Sequence, residues 1–138
     1  MLARLLFVLL LALSGVAAFA QDNTQDTKGP ILGDLMKLPS YRAAWLSMLA
    51  SDTVPPWVEE FGKTLDGPAT PSIAVPVGDD VYSLGFTCQP DGCGDNQLYV
   101  LFSPSGAKAW GLLLTGKQRK WLGSPDKSIQ DAVLSALE

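Results

Sequence analysis

Cys88 and Cys93 are the only cysteines in the chain, and they enclose the four residues QPDG. Two thiols at this spacing suggest a redox pair, part of a metal site, or a structural disulfide. A thioredoxin-like redox pair has two residues between its cysteines, at the start of a helix. A structural zinc site takes four ligands, which two cysteines do not supply. The third option, a disulfide, depends on the compartment in which the protein folds.

Other catalytic groups are scarce. The chain contains no histidine, which removes the commonest general base and the commonest zinc ligand. The adjacent acids Glu59–Glu60 point to different faces of any helix, and Asp79–Asp80 fall in a turn, so neither pair is arranged like the two acids of a glycosidase. The stretch DGCGDN is rich in oxygen ligands but lacks the order of a calcium loop. We therefore expect no enzyme activity, no cofactor and no metal.

Residues 1–20 have the pattern of a secretory signal peptide. Arg4 precedes an apolar run of nine residues, and Ala18-Phe19-Ala20 is a small-x-small cleavage site before Gln21. The run is much shorter than the roughly 20 apolar residues that a membrane-spanning helix needs. We expect an exported protein that is not inserted in a membrane after cleavage. In an oxidising compartment the two cysteines are then predicted to form a disulfide.

The charge of the exported part is acidic. Without the signal peptide, nine Lys and Arg residues stand against fourteen Asp and Glu residues. A nucleic-acid-binding protein would carry the opposite charge, so we expect no nucleic-acid partner. An acidic surface attracts a basic protein partner over long distances. Solubility alone would also account for this charge.

The first part of the exported chain is predicted to contain an arm and helices. Residues 21–29 are polar and aperiodic, which predicts a flexible N-terminal arm, and a single domain is expected at 30–138. Ser40 is a candidate N-cap for the first long helix. Its apolar stripe consists of Tyr41, Ala44, Trp45, Met48 and Leu49. We expect Trp45 to lie in the core.

Strand patterns follow and a helix closes the chain. Runs rich in β-forming residues begin at Ile73, and Gly78–Asp80 and Pro104–Gly106 are turn signals between them. The last helix is predicted to have Ser124 as its cap and Pro125 at its first position. The order of helices, four or five strands and a helix predicts an α+β fold, in which the helices bury their apolar stripes against an antiparallel sheet.

The cysteine loop joins two of these strands. Closing so short a loop stabilises the fold by about 2 kcal/mol, because a short loop has little entropy to lose. A defined loop shape is a better reason for the disulfide: Pro90 fixes φ and Gly92 permits a positive φ. A rigid polar tip, Gln89–Gly92, is suited to entering the cleft of another protein. The alternative is a disulfide that only protects an exposed turn from proteolysis.

The chain resembles the Ivy family, inhibitors of vertebrate (c-type) lysozyme in the periplasm of Gram-negative bacteria. The C-x-P-x-x-C loop between strands is the family's signature. The resemblance extends over most of the exported domain and includes AAW with Met48-Leu49, PPWV at 55–58, VGDDVYSLGFTCQPDGCGDNQLYVLFS at 77–103 and WLGSPDKSIQDAVLSAL at 121–137.

The resemblance implies a fold, a location and a mechanism. It implies a single antiparallel sheet of about five strands with helices packed on one face, and a periplasmic protein without enzyme activity. It also implies that the loop enters the lysozyme cleft, where the family's histidine hydrogen-bonds the two catalytic carboxyl groups. Some family members are dimers, so a homodimer is an open alternative for this chain.

The loop departs from the family pattern at its tip. Cys88, Pro90 and Cys93 match, but Gln89 replaces the usual lysine, Asp91 the histidine and Gly92 the aspartate. An ionised Asp91 is not complementary to two catalytic carboxyl groups unless a proton is shared.

Three hypotheses follow from this departure. The first is an inhibitor of c-type lysozyme or a related peptidoglycan-cleaving enzyme. The second is a paralogue retargeted to another envelope protein, such as a lytic transglycosylase, which uses a single catalytic acid. The third is a periplasmic adaptor whose loop is inert.

Overall fold

The computed structural model of the protein describes residues 28–138. The predicted signal peptide and residues 21–27 of the predicted arm lie outside the described residues, and those predictions stay untested. The described chain begins beside the sheet, where the Gly29 N–H donates a hydrogen bond to the Ser72 carbonyl at 2.9 Å.

Five strands form one antiparallel sheet in the order of the sequence. They are β1 (Ala69–Val77), β2 (Asp80–Cys88), β3 (Asn96–Phe102), β4 (Ala109–Thr115) and β5 (Gln118–Leu122). Two of the connections are two-residue turns that start with a glycine at positive φ, Gly78 (60°) and Gly116 (59°). These are the φ signs of a type II′ turn, whose twist matches that of the strands it joins. The predicted α+β class and five-stranded antiparallel sheet are confirmed.

Four helices flank the sheet within the described residues. They are α1 (Leu32–Leu35), α2 (Pro39–Leu49), α3 (Pro56–Thr64) and α4 (Lys127–Ala136). The predicted N-cap of α2 was wrong, because the helix starts after Leu38 with Pro39 in its first turn. Ser40 instead donates its hydroxyl hydrogen to the carbonyl of Ser105 at 2.8 Å, which ties α2 to the connection between β3 and β4.

The predicted start of α4 was also wrong. The cap is Asp126, whose carboxylate accepts the Ile129 N–H at 3.0 Å and the Ser128 hydroxyl hydrogen at 2.8 Å. Ser124 has a φ of 54° and lies two residues before the cap. The hydrogen bond from the Ile129 backbone, followed by that from Ser128, holds the pKa of Asp126 below its ordinary value of 3.8.

The first three helices cover one face of the sheet. Trp45 is 1% exposed and lies among the buried residues of this face, as predicted. The sheet contributes alternate residues of its central strands to this cluster, namely Leu98, Val100, Phe102, Ala109 and Leu113. Since side chains alternate across a strand, the intervening residues must face the other way.

The fourth helix lies on the opposite face of the sheet. The resemblance implied that all helices pack on the same face, and this expectation was wrong. Ile129 and Val133 of α4 pack with Leu101 and Leu112, which alternate with the residues of the first cluster. The reason is visible in β3, where LYVLF is apolar at every position and both faces therefore need a cover. The sheet is consequently a buried layer, and its ends carry the connections that remain accessible.

The Asp126 cap gives a test of this arrangement. We expect Asp126→Ala to lower the melting temperature at pH 7, because two hydrogen bonds at the start of α4 are lost. Since the folded-state pKa is lowered, the stabilisation is present above pH 3.8 and is lost as the pH falls through the folded-state value. The difference in melting temperature between the two proteins should therefore shrink in acid.

The matched control is Asp131→Ala in the same helix. The Asp131 carboxylate makes only an exposed ion pair with Lys127 at 2.6 Å, which contributes little to stability. Equal melting temperatures of the two variants at pH 7 would contradict the cap assignment.

Candidate functional site

The predicted disulfide between Cys88 and Cys93 is present. It joins the last residue of β2 to the connection that leads into β3, and the two Cα atoms are 4.9 Å apart. Cys88 is 1% exposed, so this end of the crosslink is anchored in the folded domain. The other residues of the loop are half-buried or exposed.

A reverse turn forms the tip of the loop. The Gly92 N–H donates to the Gln89 carbonyl at 3.1 Å, which places Pro90 and Asp91 in the two central positions of a four-residue turn. Proline is favoured at the first of these positions because its φ is already fixed. Pro90 and Asp91 are exposed, and they are the part of the loop that another molecule can reach.

Gly92 is not at positive φ, so the predicted reason for a glycine here was wrong. The positive-φ glycines of the described chain are Gly78, Gly106, Gly116 and Gly123. The constraint at position 92 is space: a Cβ there would lie 2.9 Å from the Gln89 side-chain oxygen and 3.1 Å from the Asn96 side-chain nitrogen. A larger residue would displace both amide side chains.

The base of the loop is fixed by hydrogen bonds to one carbonyl. The Gly92 oxygen accepts the Asp95 N–H at 3.2 Å, the Asn96 N–H at 3.0 Å and the Asn96 side-chain amide at 3.3 Å. The Gln89 N–H also donates to the Asn96 carbonyl at 3.0 Å, which closes the hairpin below the disulfide. Asn96 thus holds the loop from both its backbone and its side chain.

A second amide supports the loop from the sheet. The Gln97 side chain donates to the Cys93 carbonyl at 3.0 Å and accepts from the Tyr99 hydroxyl at 3.3 Å. The roles of Asn96 and Gln97 were not predicted from the sequence. The available signal was an Asn-Gln pair that begins three residues after Cys93, because such amides often bond to nearby backbone in turns.

Asp91 presents an unpaired charge at the tip. None of the three ion pairs among residues 28–138 includes it, and its side chain is exposed. The loop therefore offers a carboxylate on a fixed backbone. Its predicted site residues Gln89, Pro90, Asp91 and Gly92 lie together in one turn.

The loop has a neighbour at the same end of the sheet. The Gly116 N–H, in the turn between β4 and β5, donates to the Asp95 carbonyl at 2.6 Å. We call the edge formed by residues 89–95 and 116–117 the loop end. A groove of about 440 Å³ lies on the α4 face of the sheet, with Tyr99, Arg119 and Leu134 among its lining residues.

A groove of about 850 Å³ lies elsewhere, between β1 and α4, and its lining includes Ile73, Val75 and Ala132. Its only ionisable lining residue is Asp131, which is paired with Lys127. It therefore lacks the convergent polar groups typical of an active site.

Among residues 28–138, no cluster of three or more His, Cys, Asp or Glu side chains is placed to hold a metal ion. No helix in this range has both the length and the hydropathy needed to cross a membrane.

Residues 40–137 match the family model described as inhibitor of vertebrate lysozyme (Ivy). The chain belongs to the Ivy family. An Ivy protein of Pseudomonas aeruginosa named inhibitor of vertebrate lysozyme is 29% identical, over 95% of this chain and 92% of that protein. An inhibitor of vertebrate lysozyme from Escherichia coli K12 is 28% identical, over 72% of this chain and 56% of the relative. An uncharacterized protein of Yersinia pestis is 27% identical, over 79% of this chain and 77% of that protein.

These matches confirm the resemblance found in the sequence. The Ivy match spans the disulfide loop and all five strands. The family is described by inhibition of an enzyme and not by catalysis.

The contribution of the disulfide can be measured. We expect Cys88→Ala with Cys93→Ala to lower the free energy of unfolding by about 2 kcal/mol, the entropy of closing a short loop. Alanine is preferable to serine because position 88 is buried and a hydroxyl there would need a partner. Urea unfolding of both proteins gives the difference.

Amide exchange of Asn96 serves as the internal check. Its N–H bond to Gly92 does not involve the disulfide, so it should remain protected in the variant. Exchange at the rate of an unstructured amide would contradict an independently fixed loop base.

Proposed function

We propose that this Ivy protein is a periplasmic inhibitor of lysozyme-type peptidoglycan-cleaving enzymes, and that residues 88–93 enter the cleft of the target. The observation that carries the proposal is an exposed turn, Pro90–Asp91, on a base held by a disulfide and by the hydrogen bonds of Gly92. The names of the relatives give the class of target.

Rigidity is what suits this loop to inhibition. Ordering a flexible segment costs about 0.5–1.5 kcal/mol for each immobilised side chain, and a preformed loop avoids much of that cost. The chain also has fourteen acidic against ten basic residues, so long-range attraction would favour a basic enzyme as partner. Export by the predicted signal peptide would bring the protein to the periplasm.

The chemistry of the tip decides which cleft it fits. A lysozyme cleft contains a general acid with a raised pKa, near 6, and a second carboxyl group that stays ionised. The Asp91 carboxylate can accept a hydrogen bond from the protonated acid but is repelled by the ionised group. Binding to such an enzyme should therefore be weaker than with a neutral or cationic donor at this position.

The first test replaces the tip carboxylate. We expect Asp91→His to strengthen inhibition of a c-type lysozyme at least tenfold, equivalent to about 1.4 kcal/mol, because a protonated imidazole can donate to both carboxyl groups. Turbidimetric assay of bacterial cell-wall lysis gives the inhibition constant. Gly92 stays unchanged in this variant, since a Cβ there would crowd Gln89 and Asn96.

Asp79→His is the matched control. Asp79 is an exposed acid in the turn between β1 and β2, at the opposite end of the sheet, and its change should leave inhibition as it is. If neither the wild type nor Asp91→His binds lysozyme, the proposed function fails.

A second candidate target is a lytic transglycosylase, and Asp91 is the observation that favours it. Such an enzyme uses a single catalytic acid, so an aspartate could share that acid's proton without facing a second ionised carboxyl group. The same loop geometry would serve this target. If the protein binds neither enzyme class, the remaining hypothesis is a periplasmic adaptor whose loop is inert.

The pH dependence distinguishes this second target. We expect the affinity for a lytic transglycosylase to rise from pH 8 to pH 5, as the catalytic acid becomes protonated and can donate to Asp91. In Asp91→Asn this rise should disappear, because no ionised group remains to share the proton. Isothermal titration calorimetry across this range provides the measurement, and identical pH profiles for both proteins would contradict the shared proton.

A further inference from the structure

The turn between β4 and β5 is attached to the disulfide loop. The Gly116 N–H donates to the Asp95 carbonyl at 2.6 Å, and Asp95 is itself bonded to Gly92 through its N–H at 3.2 Å. Two hydrogen bonds therefore connect this turn to the tip of the loop. Backbone groups therefore hold the two turns next to one another at the same end of the sheet.

Lys117 occupies the second central position of this turn. The pairing of Thr115 with Gln118 leaves only Gly116 and Lys117 in the turn, and Lys117 is exposed. None of the three ion pairs within residues 28–138 involves Lys117. Its ammonium group is thus available to another molecule.

The neighbouring cations in β5 are placed differently. The Lys120 ammonium group donates to the Thr53 carbonyl at 2.6 Å and lies 3.8 Å from the Asp52 carboxylate, so its role is to tie β5 to the chain between α2 and α3. Arg119 lines the groove on the α4 face. Lys117 is the cation carried by the loop end itself.

Protection of the sheet edge does not explain a lysine at this position. Edge lysines prevent strand pairing when they lie in the edge strand, and β5 already carries Arg119 and Lys120. Lys117 precedes the strand, in a turn that offers no ladder to another chain. Its position is better explained by contact with a partner.

We propose that the β4–β5 turn is a second part of the binding surface, and that Lys117 pairs with an acidic group of the target beside the cleft. This inference rests on the proposed function of the loop. The attraction between Lys117 and that acidic group would offset part of the repulsion that Asp91 experiences in an acidic cleft. The loop end would then present a carboxylate and an ammonium group on one rigid backbone.

The test is a charge reversal with a matched control. We expect Lys117→Glu to weaken binding to a c-type lysozyme at least tenfold, while Lys117→Arg retains the affinity. Lys108→Glu makes the same change of net charge at an exposed residue before β4, at the opposite end of the sheet. It should leave the affinity unchanged or raise the association rate, since a more acidic inhibitor attracts a basic enzyme more strongly.

Binding kinetics at low and high ionic strength give the readout, and circular dichroism checks the fold of each variant. Equal affinities of Lys117→Glu and Lys108→Glu would overturn the role of Lys117 and leave the proposed function standing. Absence of binding by both the wild-type protein and Asp91→His would overturn the proposed function and this inference with it.

Discussion

The Gly92 carbonyl oxygen is the acceptor on which the shape of the loop depends. It takes three hydrogen bonds, two from backbone N–H groups and one from the side chain of Asn96. The disulfide closes the same short hairpin from the side chains. Backbone and covalent constraints therefore act on the same few residues, and the exposed turn at Pro90 and Asp91 has little freedom left to lose when a partner binds.

The sheet gives this loop a rigid support. Both faces of the central strands are buried, one under α1 to α3 and the other under α4. The hairpin ends therefore extend from a packed layer and not from a mobile edge. The Asp126 cap and the bond between Ser40 and Ser105 hold the covering helices in place. The loop end is therefore attached to strands β2, β3 and β4, which are held in place by packing on both faces.

Local sequence patterns predicted much of this architecture. The cysteine spacing, the turn signals at Gly78 and Gly106 and the apolar stripe with Trp45 each depend on residues close in the chain, and the structure agrees with them. The cap at Ser124 was wrong because Asp126 adjoins the same helix start and caps it instead. The cap at Ser40 was wrong because α2 begins before this residue, without a side-chain cap, and the Ser40 hydroxyl bonds to the distant Ser105 carbonyl. The position of α4 and the bond from Gly116 to Asp95 depend on which strands become neighbours, which no local pattern contains.

The central claim is that the loop end is the surface through which this protein binds its target. The most direct measurement is an NMR titration of the isotope-labelled exported domain with a c-type lysozyme, following every backbone amide. We expect the largest shift changes at Gln89, Asp91–Cys93 and Gly116–Lys117, with little change at Gly78 and Asp79 at the opposite end of the sheet. Changes concentrated along β1 and α4, with the loop end unaffected, would contradict it.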